Sequence, residues 1–373
     1  MRVAIDVTPW MSKPSGMGLY VANLVQGLTT LQATEFFDLE LIYQPRLKNW
    51  LTRDLAFPEY LQPYSNLRLF PFPVRISNLF IQLPLLSAHY LESYFNQADI
   101  VHGTNYTVFP IPGKRKVMTI YDVSFVRYPE YSNSTVRAYT DRLKKCLEWT
   151  DLVLTISHSS KQDIVEYLGV DPSRIWVTHL ASRYSQVEHP KLEPSKPYIL
   201  FVSTIEPRKN IKALISAFEY LKKNYQIDHE LLLIGQKGWL YEPIFQQIEQ
   251  SFYRSSIRHL SYLTDAQVAQ FYQNADVFVY PSHYEGFGMP VLEAMTLGTP
   301  VVTSNTSSLP EVAGDAAILV EPTDIQQIGE AIFKVIHDRP FRDRLIQKGR
   351  EQAKLYSWEK TAKATLEAYR SIL

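Results

Sequence analysis

A single cysteine, Cys146, leaves this 373-residue chain no internal disulfide and no metal site built on several thiolates. A reducing compartment fits that usage. Net charge is lacking too: 38 Lys+Arg stand against 38 Asp+Glu, balanced in both halves, so no basic field points to a nucleic-acid partner. No uninterrupted apolar stretch reaches the roughly 20 residues that span a bilayer. The opening MRVAIDV reads as a β-strand and lacks the basic-then-apolar order of a signal peptide, so a cytoplasmic setting is expected. No G-x-G-x-x-G fingerprint follows that strand, which disfavours a nicotinamide cofactor, and no D-x-D-like loop offers a catalytic metal site.

What is present is the mix of a packed enzyme, 46% hydrophobic and 20% charged, in a chain longer than one core usually fills. Short β-rich runs alternate with helical patterns, which predicts parallel sheets built from βαβ units. The first half offers strands at Val3–Val7, Leu39–Tyr43, Ile100–Gly103, Val117–Tyr121, Leu152–Ile156 and Ile175–Thr178. The Pro- and charge-rich EHPKLEPSKP, Glu188–Pro197, then reads as a linker. The pattern restarts at Tyr198–Ser203 and continues through Leu231–Gly235, Ile257–Ser261, Val277–Tyr280, Pro300–Thr303 and Ala317–Val320. Two doubly wound α/β domains, 1–187 and 198–356, are therefore expected, with ligand in the cleft at the carboxyl ends of their strands.

Three segments carry chemistry. In YPSHYEGFGMPVLEAMTLGTP, Tyr280–Pro300, a strand runs into a glycine loop and a helix begins near Met289 and Pro290. Glycines admit a ligand close to the backbone, and the first helical turn presents N–H groups to an anion such as diphosphate. Glu285 and Glu293 flank that turn, and a carboxylate accepts two hydrogen bonds from a vicinal diol. Each glutamate alone would pass for a solvated helix residue. In STIEPRKN, Ser203–Asn210, Arg208 and Lys209 precede a helix, where cations oppose the helix dipole unless an anionic ligand sits there. In SGMGLY, Gly16 and Gly18 loosen the first βα turn, which is weak evidence by itself.

Together these motifs resemble the retaining glycosyltransferases of family 4, which have the GT-B fold. The likeness lies in Glu285 and Glu293 within GFGMPVLEAMTLGTPVV, in EPRKN, in SSLPEVAGDAAILVEP and in YSWEKTA. Earlier it extends to SGMGLY, HGTNY, TIYDVSFVRYPEY and LVLTISHSSKQDI. The subgroup it is similar to is rich in bacterial mannosyltransferases of O-antigen and exopolysaccharide assembly. The resemblance implies that Arg208 and Lys209 neutralise the donor diphosphate and that Glu285 holds hydroxyls of the transferred sugar. It implies that backbone amides from Gly286 through Phe287 and Gly288 to Met289 touch that sugar, that Glu293 binds the ribose, and that Gly16 and Gly18 line the phosphate side. Residues 357–373 would form a helix packing back on the first, acceptor-side domain. Relatives often carry histidine where this chain has Tyr121, so Tyr121, its neighbour Asp122 and His102 stand as further candidates.

The activity so implied is hexosyl transfer with retention, without metal or cofactor, from a GDP- or UDP-linked donor to a glycan or lipid-linked acceptor, with GDP-mannose favoured. A UDP-dependent glucosyl or N-acetylglucosaminyl transferase, a nucleotide-sugar epimerase or phosphorylase of similar architecture, and an inactive sugar-nucleotide-binding module are the alternatives. Peripheral membrane contact is also open. Pro71–Phe95 is rich in apolar and aromatic residues, and Arg137, Arg142, Lys144, Lys145 and the turn Lys114–Lys116 supply positive charge.

Overall fold

The computed structural model describes residues 1–11, 16–128, 134–185 and 196–373. The stretch read as a linker, apart from Lys196 and Pro197, lies outside the described residues, as do Ser15 of SGMGLY, the PEY of TIYDVSFVRYPEY and the side chain of Arg137.

The chain divides into two compact units, Met1–Leu180 with Trp358–Leu373, and Ala181–Ser357. The second unit thus begins upstream of the expected boundary at 198. The cause is Arg183, whose guanidinium bonds Glu293 at 2.6 Å and Asp265 at 3.0 Å, aided by the ring of Tyr184 against Tyr272.

The first unit holds strands β1 (Arg2–Asp6), β2 (Asp38–Tyr43), β3 (Leu67–Leu69), β4 (Ile100–Gly103), β5 (Arg115–Thr119), β6 (Leu152–Thr155) and β7 (Ile175–Val177). They form one parallel sheet in the order β3-β2-β1-β4-β5-β6-β7. Parallel strands covered on both faces need near-continuous apolar runs, which VAI, VMT and LVLT supply. β3 has only the half-buried LRL, too short to register as a strand in the sequence.

Helix Met17–Leu31 buries Tyr20, Val21, Leu24, Val25 and Leu28 along one stripe, and it packs on Trp358–Arg370. The two approach closely at Gly27, where a Cβ would lie 2.8 Å from that of Ala362. Further pins hold the returning helix: Tyr369 Oη lies 2.7 Å from His102 Nδ1, and Thr361 Oγ1 donates to the His179 carbonyl at 2.6 Å.

The second unit holds β8 (Tyr198–Val202), β9 (Glu230–Ile234), β10 (Ile257–Leu260), β11 (Val277–Tyr280), β12 (Val301–Ser304) and β13 (Ala317–Val320). They form a parallel sheet in the order β10-β9-β8-β11-β12-β13. Strand order reverses between β1 and β4 in one sheet and between β8 and β11 in the other. Such switch points open a crevice at the strands' carboxyl ends, the usual ligand position in doubly wound sheets. Among the described residues, no helix is long and apolar enough to cross a membrane.

Candidate active site

The carboxyl ends of β8 and β11 bring Arg208, Lys209 and Glu285 together. After β8 the chain makes a turn of 3-10 helix, Pro207–Lys209, and passes through Asn210 in the left-handed region before helix Ile211–Tyr225. Asn210 is held there by its side-chain amide, which donates to the carbonyls of Pro281 and Pro322 at 3.0 and 2.6 Å. The turn is thereby tied to the end of β11, and the Arg208 carbonyl accepts from the His283 N–H at 3.0 Å.

Lys209 and Glu285 are nearly enclosed, at 6% and 7% exposure. Lys209 Nζ lies 2.6 Å from Glu285 Oε1 and 2.9 Å from Tyr280 Oη. Ser282 Oγ donates to the same carboxylate oxygen at 2.7 Å. Arg208 Nη1 reaches Glu285 Oε2 at 3.2 Å and the Tyr284 carbonyl at 2.7 Å, while its Nη2 pairs with buried Glu206 at 2.8 Å. Burial would raise the Glu285 pKa, but Lys209 and Arg208 outweigh it and bring the group down to about 2. The carboxylate is ionised at neutral pH, and two protein cations are held by two protein carboxylates.

Just past this cluster, Gly288 adopts φ 103° and opens helix Met289–Thr296, whose first turn carries Pro290. A Cβ on Gly288 would lie 2.8 Å from Leu309 Cδ2, so both backbone angle and space demand glycine. Ser308 Oγ fixes the loop by donating to the carbonyls of Glu285 and Phe287, and Ser307 Oγ accepts from the Glu285 N–H. The Phe287 ring is buried and meets Tyr356 edge-on. That leaves the backbone of the Gly286–Met289 loop as its chemistry-bearing part.

Glu293, on the same helix, is fully enclosed. Its Oε1 accepts from Arg183 Nε at 2.6 Å and its Oε2 lies 3.4 Å from Tyr272 Oη. Burial raises its pKa, and Arg183 offsets this only in part. Sequence reading passed over Arg183, Glu206 and Tyr272. Glu206 stood beside the motif in EPRKN, but nothing local marks Arg183, which meets a carboxylate 110 positions away.

The remaining candidates belong to the first unit. Gly16, at φ 43°, stands at the N-terminus of helix Met17–Leu31 with open space where a Cβ would be, and Gly18 is buried in its first turn. His102 is fully buried, with Nε2 2.8 Å from Thr119 Oγ1 and Nδ1 on Tyr369. Burial lowers its pKa to about 3, so the ring is neutral and both nitrogens serve packing. Tyr121 Oη donates to the Thr104 carbonyl at 2.7 Å, and its ring meets Tyr20 edge-on. Asp122 Oδ1 accepts from the Ser124 N–H and hydroxyl at 2.9 and 2.7 Å, which caps the turn that follows.

A parallel α/β sheet with cations and a helix N-terminus at its switch point defines a class of enzymes that handle phosphorylated nucleotides. Comparison with known proteins narrows the class. Residues 14–181 match the family model "Glycosyltransferase Family 4", and residues 185–352 match "Glycosyl transferases group 1". A relative from Escherichia coli, "O-antigen chain mannosyltransferase B", is 32% identical over 99% of this chain and 100% of its own length. Among solved structures, sucrose-phosphate synthase from Thermosynechococcus elongatus superposes with TM-score 0.76 at 17% identity, covering 100% of this chain and 98% of that one. Anabaena HepE, solved with UDP and glucose, gives TM-score 0.70 at 15% identity over 100% of both chains. The chain belongs to glycosyltransferase family 4 and has the GT-B fold. It is a glycosyltransferase, and so works on a sugar donor and an acceptor.

Proposed function

We propose that this enzyme transfers mannose from GDP-mannose, with retention and without a metal or cofactor, to a glycan or lipid-linked acceptor on the cytoplasmic side of polysaccharide assembly. The end-to-end likeness to the Escherichia coli O-antigen mannosyltransferase favours mannose. The observation that carries the site is the enclosed Arg208–Lys209–Glu285 cluster beside the amino end of helix Met289–Thr296.

Negative charge grows on the bridging oxygen of the leaving diphosphate as the anomeric bond breaks. Arg208, Lys209 and the first-turn N–H groups stabilise that charge more in the transition state than in the ground state. Two cations already stand where a metal would serve, which supports a metal-independent reaction. Glu285 accepts hydrogen bonds from hydroxyls of the transferred sugar, and Glu293 takes the ribose diol with Arg183 as counter-ion. In this reading no side chain acts as a covalent nucleophile. The acceptor hydroxyl attacks on the face the diphosphate leaves, with the diphosphate as its base.

Thermal unfolding with GDP, UDP, ADP and dTDP, each with EDTA, tests this reading. GDP at 100 times its dissociation constant should add about 2.7 kcal/mol of stability. A response to UDP alone favours the UDP-hexose alternative, and no response to any nucleotide overturns the donor site.

The reading includes contact with an anionic membrane surface. Helices Val74–Gln82 and Pro84–Tyr94 meet at a corner where Leu85 and Leu86 are 92% and 80% exposed, flanked by exposed Leu79 and Leu83. Lys145 Nζ donates to the Gln82 carbonyl at 2.9 Å, and the same unit exposes Arg75 on the first of these helices and Lys144 beside Lys145. An exposed apolar patch with a lysine at its edge suits a headgroup layer. Wild-type protein should co-sediment with phosphatidylglycerol vesicles and the L85S/L86S variant should not; equal sedimentation removes the membrane contact.

A further inference from the structure

Tyr280 closes β11 with a hydroxyl that the transfer chemistry does not use. The residue is fully buried, and its ring stacks on Phe201 of β8 and on Phe278 of its own strand, with centroids 5.7 Å away in each case. Two aromatic neighbours therefore fix the place of the phenol oxygen. That oxygen lies 2.9 Å from Lys209 Nζ and 3.4 Å from Ser203 Oγ, just past the end of β8. The ammonium stands beyond the hydroxyl, 5.4 Å from the ring centroid, so the contact is made to oxygen rather than to the ring face.

An ammonium has donors only, so the phenol oxygen accepts from Lys209 and directs its own hydrogen at Ser203. Of the three N–H bonds of Lys209, one goes to Glu285 and one to Tyr280, and no described residue takes the third. The two partners act differently on the charge. Glu285 cancels it, whereas a neutral phenol satisfies a donor and leaves the charge whole. Burial and the Glu285 carboxylate hold the Tyr280 pKa well above its ordinary value, so the phenol is neutral. Around Lys209, burial acts most strongly and lowers its pKa, and Arg208 adds to the lowering, while Glu285 and Glu206 oppose it. With desolvation working against the ammonium, each acceptor that favours the charged form counts.

We propose that Tyr280 is a positioning residue for glycosyl transfer: its hydroxyl, set by the Phe201 and Phe278 rings, keeps Lys209 an ammonium beside Glu285, with one N–H left for the donor diphosphate. The proposal rests on the donor-site reading and adds to it a neutral group that keeps the cation available to the leaving group.

Tyr280→Phe keeps the stacked ring and removes only the oxygen. Lysine labelled with carbon-13 at Cε reports the charge on Lys209 directly by NMR, its resonance being the one absent from Lys209→Met. In Tyr280→Phe the Lys209 titration should move down by about one pH unit, the scale of one hydrogen bond to a charged group. The diphosphate contact is read from the ratio of GMP to GDP dissociation constants, in which the guanine's own ionisation cancels. Relative to wild type that ratio should be nearly unchanged below the variant's titration and about tenfold smaller above the wild-type one. A role in packing alone would leave the titration in place and weaken GDP equally at every pH, and either finding overturns the proposal. Should Tyr280→Phe not fold, Phe201→Leu releases one face of the ring while keeping the hydroxyl, and should give a smaller downward shift; no shift there overturns the proposal as well. If the titration moves as expected but no nucleotide binds the wild type, the hold of Tyr280 on Lys209 stands and the donor reading falls.

Discussion

Lys209 and Glu285 are both nearly enclosed, so neutralising Glu285 strands the Lys209 ammonium, while neutralising Lys209 leaves Glu285 with Arg208 alone as its counter-ion among the described residues. Removing one member of such a pair typically costs about 3–5 kcal/mol, whereas replacing both can be close to neutral. Glu285→Gln and Lys209→Met should each lower kcat on the order of 10²-fold, the scale of one lost oxyanion donor. The double variant should regain stability but not turnover, and urea melts beside kcat separate the two effects. The pH dependence follows from the sign of the shift. Because Glu285 titrates at about 2 in the fold, below its unfolded value, its contribution is complete above the ordinary carboxylate range. It is lost as pH falls toward 2, and urea melts of Glu285→Gln should lack that acid-range slope. Glu293 lies on the other side of its ordinary value, with Arg183 limiting the rise. Arg183→Gln should keep Glu293 protonated to higher pH and move the pH profile of donor KM upward, leaving kcat at high pH nearly unchanged.

Elements were legible where burial imposed a pattern. β4 and β11 lie where their apolar runs do, because fully buried strands tolerate little else, and the half-buried edge strand β13 keeps the bounds of its own apolar run. β5 begins and ends two residues earlier than its apolar run, since pairing with β4 starts at Arg115 beside Ile100. β3 escaped notice because a three-residue edge strand needs one neighbour and little hydrophobicity. The Glu285 and Glu293 motif was legible because glycine, proline and acid crowd one βα turn. Lys209 was legible as a site residue but not as the partner of Glu285, and Arg183 was not legible at all, since both reach their carboxylates only through the folded sheet. Gly288 gives a test at this scale. Alanine there meets both a positive φ and Leu309, and should cost about 1–3 kcal/mol in urea melts while weakening GDP binding.

At the scale of the whole molecule the two sheets were legible from the alternation of strands and helices, while the boundary between units was not. An ion pair spanning 110 positions moved it from 198 to 181. Hydrogen exchange should register the division: GDP should slow exchange in loops after β8 and β11 and leave β1 and β4 unchanged. The division also has a consequence for synthesis. Ala181–Ser357 is spliced into the first unit, whose final helix, Trp358–Arg370, is made last. On the ribosome, then, the second unit can close as soon as its own strands have emerged. The first must wait, its Gly27 seam and the His102 imidazole facing water, until Ala362 and Tyr369 leave the tunnel. The half of the enzyme that is translated first is the half that matures last.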